Sequence, residues 1–262
     1  MKLSFMTFSC PKATLDEALA MVKAYGYDGL EIRIASKHAH GVEPGCDAAA
    51  AKAAFAAAGV KPAAIATSCR FADPVEHGMH IADARAAVDL AAGIAAPVVR
   101  VFGGNVPDHL SRNDAIAAVV AALRELAPYA HERGVVLALE THDAWTHPDH
   151  VARVMEAVDH PGAGVNWDPM HPLRQSGWPV DRQWQRLRPW VRHVHVHDGL
   201  LRLDTLQLKP MGTGDIDHRP VVTVLKQAGY TGWLSLEWIH NDPPDAHLPH
   251  ESATLRSCLE QT

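Results

Sequence analysis

Eight short β-rich runs alternate with longer helix-forming segments along this chain, near residues 3–8, 29–34, 62–67, 97–102, 135–140, 163–168, 192–197 and 233–238. At 262 residues the spacing is roughly 33 residues per unit, the length a strand and its return helix need in a parallel sheet. Eight such units close naturally into a (β/α)8 TIM barrel, here expected as a single domain over residues 1–262. A doubly wound open sheet is the alternative. It is disfavoured because polar residues at the ends of successive strands converge on one axis in a barrel and spread along a line in an open sheet.

Helix punctuation supports the alternation. Thr14-Leu-Asp-Glu17 forms a capping box ahead of a helix to Tyr25, with Gly26 as its stop. Ser111 to Asp114 opens another that closes before Gly134, and Asp217 is expected to cap a third that ends at Gly229. Residues 47–58 and 80–92 are Ala-rich and favour helix. The turn at 25–31 is echoed at 228–234, each a helix stop feeding a strand. The long connection from Asp198 to Ile216 contains Lys209-Pro-Met-Gly-Thr-Gly-Asp215 and is expected to cover the site, as long loops in compact domains often do.

The net charge of −6 and pI near 6.3 argue against a polyanion as main partner, since nucleic-acid affinity rests on Lys and Arg. Cys10, Cys46, Cys69 and Cys258 lack C-x-x-C spacing and read as free thiols. No apolar stretch reaches membrane-spanning length, and the first twelve residues are too polar for a signal peptide. These features lead us to expect a cytoplasmic protein with no membrane partner.

Four of the strands end in metal-type ligands: Glu140, Asp168, His195 and Glu237. Side chains alternate along a strand. Leu137, Leu139, Val165, Trp167, Val194, Val196, Leu234 and Leu236 therefore take one face, while Glu140, Asn166, Asp168, His193, His195, His197, Ser235 and Glu237 take the other. Gathering three carboxylates and an imidazole in one enclosed site costs several kcal/mol per buried ion, and a divalent cation offsets that cost. The donor set is hard and oxygen-rich. It suits Mn²⁺ or Mg²⁺ and is compatible with Co²⁺ or Zn²⁺.

Only one member of the triplet His193, His195, His197 fits as a ligand, because alternate residues lie about 7 Å apart along a strand. His195 is the choice, with His193 deeper as a hydrogen-bonded interior residue and His197 at the rim. His171 and His142 read equally as substrate contacts and as solvent-exposed loop residues. Glu31 is expected in an interior ion pair, and Arg33 and Arg100 are open between structure and substrate. Lys209, Arg202 and Arg100 are candidates to meet an anionic group. Trp145, Trp167, Trp178 and Trp238 are mainly packing residues, with one or two expected at the pocket.

With the runs Met1 to Phe5, Gly26-Tyr-Asp-Gly29, Val99 to Gly104, Leu139-Glu-Thr-His142, Asp168-Pro-Met-His171, His193 to Asp198, Gly212-Thr-Gly-Asp215 and Leu236-Glu-Trp238, the chain resembles the xylose-isomerase-like TIM-barrel superfamily of sugar phosphate isomerases and epimerases. The resemblance implies that Glu140, Asp168, His195 and Glu237 are the metal quartet and that His171 meets substrate hydroxyls. His197 stands where many relatives have lysine, so a contact inferred from that lysine does not carry over.

The expected activity is metal-dependent epimerisation or isomerisation of a sugar or keto-sugar. Proton transfer runs through an enediolate, with Glu140 and Glu237 as proton carriers and His171, His142, His197, Arg100 and Lys209 as substrate contacts. A lyase or dehydratase on the same site is the nearest alternative. An abasic-site endonuclease is more distant, because Ala66-Thr-Ser-Cys69 supplies none of the extra histidines it would need. A homo-oligomer is compatible with such barrels.

Overall fold

The computed structural model describes residues 1–202, 205–239 and 242–261. Eight parallel strands close a barrel: β1 (Lys2–Met6), β2 (Gly29–Arg33), β3 (Lys61–Arg70), β4 (Val98–Phe102), β5 (Val136–Glu140), β6 (Ala163–Trp167), β7 (Val191–Val196) and, last in the chain, β10 (Trp233–Leu236). β10 pairs with both β1 and β7, which completes the cylinder. Helices α1 (Leu15–Ala24), α2 (Ala48–Ala58), α3 (His77–Ile94), α4 (Arg112–Glu132), α5 (Pro148–Val158), α6 (Val180–Leu187), α7 (Arg219–Gln227) and α8 (Pro244–Gln261) surround it. The open-sheet alternative is excluded by this closure.

The alternation of faces holds. Leu137, Leu139, Val165, Trp167, Val194, Val196, Leu234 and Leu236 are buried in the main apolar core with the helices. Inside the barrel a small cluster of Ala64, Val98 and Ala138 forms the floor. Above it the inward residues are polar and buried, including Glu31, Arg100, Glu140, Asn166, His193 and Ser235.

The capping boxes form at Thr14–Glu17 and Ser111–Asp114. Three boundaries differ from expectation. β1 stops at Met6 because residues 7–9 turn into a short 3-10 helix, and β3 runs on to Arg70. The cap position of α7 is His218, not Asp217, although the Asp217 carboxylate still accepts the Arg219 N–H at 2.9 Å. Trp145 and Trp167 are completely buried, so neither lines a pocket: the Trp145 indole donates to Gly104 O at 2.8 Å and the Trp167 indole to Gln183 at 2.8 Å.

The connection after β7 is built around one carboxylate. Asp198 begins a two-residue strand, β8 (Asp198–Gly199), that pairs antiparallel with β9 (Leu208–Lys209). Its side chain accepts backbone N–H groups from Gly199, Gly212, Gly214 and Ile216 at 2.7, 2.8, 3.0 and 3.1 Å. The glycines of Gly212-Thr-Gly214 are required by this wrapping. Gly212 has φ +82°, and a Cβ on Gly214 would lie 2.3 Å from the Asp198 carboxylate. Leu203 and Asp204, within this connection, lie outside the described residues.

The same loop is tied to α8 by buried Glu251, which accepts the Met211 N–H at 3.0 and 3.2 Å. Burial pushes its carboxyl up to about 7, with Asp198 adding to the rise and the Met211 hydrogen bond opposing it. An unfolded glutamate titrates near 4.3, so the folded state holds its proton longer. This group's contribution is therefore fully favourable below about pH 4.5 and is lost as pH rises through 7, by up to about 3 kcal/mol. Thermal unfolding should show Glu251→Gln more stable than the parent at pH 8, with the gap closing towards pH 4.5; a gap independent of pH would show that folding does not raise the Glu251 carboxyl.

Candidate functional site

The C-terminal mouth of the barrel collects the residues that the strands deliver inward. Glu140 closes β5, Asp168 follows β6, His195 lies on β7 and Glu237 follows β10. Each offers one ligand atom, and these atoms all lie within 4.8 Å of one another in a buried group. Metal–oxygen bonds of about 2.0–2.6 Å place ligands on opposite sides of one ion about 4–5 Å apart, so a single divalent centre fits the four. Glu140 Oε2 and Asp168 Oδ2 are buried beside cationic groups, Arg100 Nε at 3.2 Å and His197 Nε2 at 2.8 Å, and each carboxylate oxygen keeps a lone pair to offer a cation.

His195 is held from both sides. Its Nε2 lies 3.0 Å from Glu31 Oε1, while Nδ1 lies 2.8 Å from Glu140 Oε1 and 3.6 Å from Glu237 Oε2. An Nε2–H donated to Glu31 leaves the Nδ1 lone pair facing the carboxylates, the tautomer a ligand needs. Glu31 also binds His193 Nε2 at 2.9 Å. The expected interior ion pair of Glu31 is therefore found, and it additionally orients His195. The signal was present in the sequence, since Glu31 shares the inward face of β2 with Arg33, but its partner is 164 residues away.

Electrostatics follow from this crowding. Burial opposes every charge here, yet the imidazoles and carboxylates stabilise one another. Glu237 is held down to about 2 by His195, His197 and Arg100 against its burial. The histidines His195 and His197 are raised despite burial, chiefly by Glu31 and Glu140 in the first case and Asp168 in the second. Glu237, 8% exposed, is more accessible than Glu140 at 1% and Asp168 and His195 at 0%.

A second buried group shares Asp168. His171 and His197 join it, and the His197 Nε2 lies 2.8 Å from Asp168 Oδ2. His197 is thus not at the rim: it is 3% exposed and its ring packs 5.3 Å from His171. His171 is likewise buried, and the solvent-exposed alternative is excluded for it. The His142 ring lies 4.3 Å from that of His171. Burial works against its charge, but the Asp143 hydrogen bond at 2.7 Å, with Glu140, raises it to about 9. Arg100 is buried with Nε 3.2 Å from Glu140 Oε2. Lys209 is not brought to this group. It lies on β9 and lines a separate recess with Trp238, Asp242 and His247. Arg202 is also outside it, exposed, with its carbonyl accepting from Arg174 at 2.8 Å.

The sequence profile of the xylose isomerase-like TIM barrel family matches residues 19–258, and the chain belongs to that family. A relative in Methanocaldococcus jannaschii, an uncharacterized protein called MJ1311, is 26% identical over 162 residues, 58% of this chain. The chain spans about half the length of that relative, 54%.

Among solved structures, the IolI protein with a binding zinc atom superimposes with TM-score 0.85 at 18% identity, covering 100% of this chain and 99% of that one. L-ribulose 3-epimerase gives 0.83 at 17%, covering 99% and 95%. The probable 3-DHS dehydratase AsbF from Bacillus anthracis gives 0.82 at 20%, covering 98% and 99%. Among the described residues no helix is long and apolar enough to cross a membrane.

Proposed function

We propose that this protein is a divalent-metal-dependent isomerase or epimerase of a sugar or keto-sugar. The observation that carries the reading is the convergence of Glu140, Asp168, His195 and Glu237 on one centre. A cation bound there would polarise a carbonyl beside a hydroxyl and stabilise the charge left when the α-proton departs. Mn²⁺ or Mg²⁺ suits three carboxylates and one imidazole best; the zinc in the IolI structure keeps Zn²⁺ among the candidates.

The chain's own residues do the rest. Glu140 and Glu237 flank Asp168 and His195 around the barrel, so they approach a bound substrate from opposite sides. Glu237, ionised and the more accessible, takes the α-proton; Glu140, having taken up a proton from solvent, delivers it to the other face or to the neighbouring carbon, and Glu237 then releases its own to solvent. His171 and His197, buried beside Asp168, hold substrate hydroxyls, with His142 and Arg100 completing the wall. Support comes also from neighbours of the same fold that include a ketose epimerase.

A dehydratase is the second reading. It is favoured by His142, which, carrying its proton near neutrality, is suited to protonate a departing β-hydroxyl. NMR of products formed in D₂O separates the two. A rearranged sugar bearing solvent deuterium supports isomerase or epimerase chemistry, and an unsaturated product overturns it in favour of dehydration.

Glu31 provides a further test. Removing its charge should loosen the grip on His195, so Glu31→Gln is expected to weaken Mn²⁺ affinity about 10–100-fold in a titration, whereas unchanged affinity would mean that His195 is oriented by other contacts.

A further inference from the structure

Arg33 stands apart from every other buried charge at the mouth. It is 8% exposed, yet among the described residues its guanidinium has no carboxylate within ion-pair distance. Its hydrogen bonds go to neutral acceptors, the carbonyls of Ile34 and Ala66 and the hydroxyl of Ser68. Its Nε is buried without an acceptor, whereas that of Arg100 faces Glu140 Oε2 at 3.2 Å. A buried cation with neutral partners alone is costly, and the like charge of neighbouring Arg100 adds to that cost.

The strands explain why the two arginines form one feature. Arg33 ends β2 and Arg100 lies within β4, both facing inward on either side of β3. There β3 presents only Ala66 and Ser68 to the interior. Both side chains are small, and Ser68 is exposed. Each guanidinium is backed by an aromatic ring, Arg33 5.4 Å from Phe8 and Arg100 3.9 Å from Phe102. Burial and the neighbouring Arg100 lower Arg33 to about 10, while Glu237 and Glu43 offset part of this.

We infer that the substrate carries a carboxylate and that Arg33, with Arg100, receives it. The inference rests on the site proposed above and narrows its substrate class to polyhydroxylated acids. A carboxylate accepts two parallel hydrogen bonds and matches guanidinium geometry. Arg33 is thereby a specificity-determining residue.

The test is calorimetric titration of the Mn²⁺-loaded protein with D-gluconate and with D-glucitol, a matched neutral polyol. Gluconate should bind at least tenfold tighter. In Arg33→Gln its affinity should fall about 10–100-fold with glucitol unchanged, and Arg33→Lys should recover part of the loss. Because Arg33 is not among the metal-type ligands, this loss separates the guanidinium from simple chelation of the metal by gluconate. Equal affinities for gluconate in parent and Arg33→Gln would overturn the inference, as would equal affinities for gluconate and glucitol in the parent. Tighter, Arg33-dependent binding of D-glucose 6-phosphate would overturn it in favour of a phosphate monoester.

Should Arg33→Gln not fold, the contrast between ligands in the parent and the Arg33→Lys titration still decide. Manganese content is measured on the same samples. Retained manganese with no preference for gluconate sinks the carboxylate alone; absent manganese with the preference intact sinks the metal centre alone.

Discussion

Glu237→Gln should fold as the parent does and lose about 10²–10⁴-fold in kcat. The substitution keeps the side chain's size and one carbonyl oxygen that can still approach a cation. What it removes is the carboxylate base, which in the parent is ionised because His195, His197 and Arg100 overcome its burial. Circular dichroism should be unchanged, and substrate affinity should move far less than turnover. Near-native turnover in this variant would take Glu237 out of the proton path and leave Glu140 or His142 to carry it.

Exhaustive chelation should abolish turnover on the true substrate and lower thermal stability. Without a cation the carboxylates of Glu140, Asp168 and Glu237 are left close together in a buried space, their repulsion offset only in part by His195, His197 and Arg100. A cation present at a hundred times its dissociation constant stabilises the fold by about 2.7 kcal/mol, which for a chain of this size is about 5–10 °C in Tm. Adding back Mn²⁺ or Mg²⁺ should restore both. A chelated protein with full activity would refute catalysis by a metal, and a fall in Tm without loss of activity would mark the cation as structural.

The barrel was legible because strand alternation and helix caps are local signals. Glu140, Asp168, His195 and Glu237 each sit at the end of a recognisable strand, so their convergence followed once the strands were taken to close. What escaped was everything decided by partners distant in sequence. Glu31 meets His195 across 164 residues, and no periodicity announces which imidazole it will turn. His197 was expected at the rim from its place two residues above His195, but Asp168 draws it inward to 2.8 Å. Lys209 was placed at the site by its position in a long glycine-containing loop. The Asp198 carboxylate folds that loop into a hairpin instead, and Lys209 faces a different recess. The end of β1 is set locally, by a 3-10 turn over residues 7–9 that no glycine or proline announces.

The most direct measurement is the stoichiometry of Mn²⁺ bound at equilibrium, by dialysis and elemental analysis, in the parent and in Asp168→Asn and His195→Gln. One ion per chain in the parent, with affinity lost by at least tenfold in both variants, is the predicted result. A parent that retains no divalent ion, or variants that retain it with undiminished affinity, would contradict the shared centre on which the proposed chemistry stands.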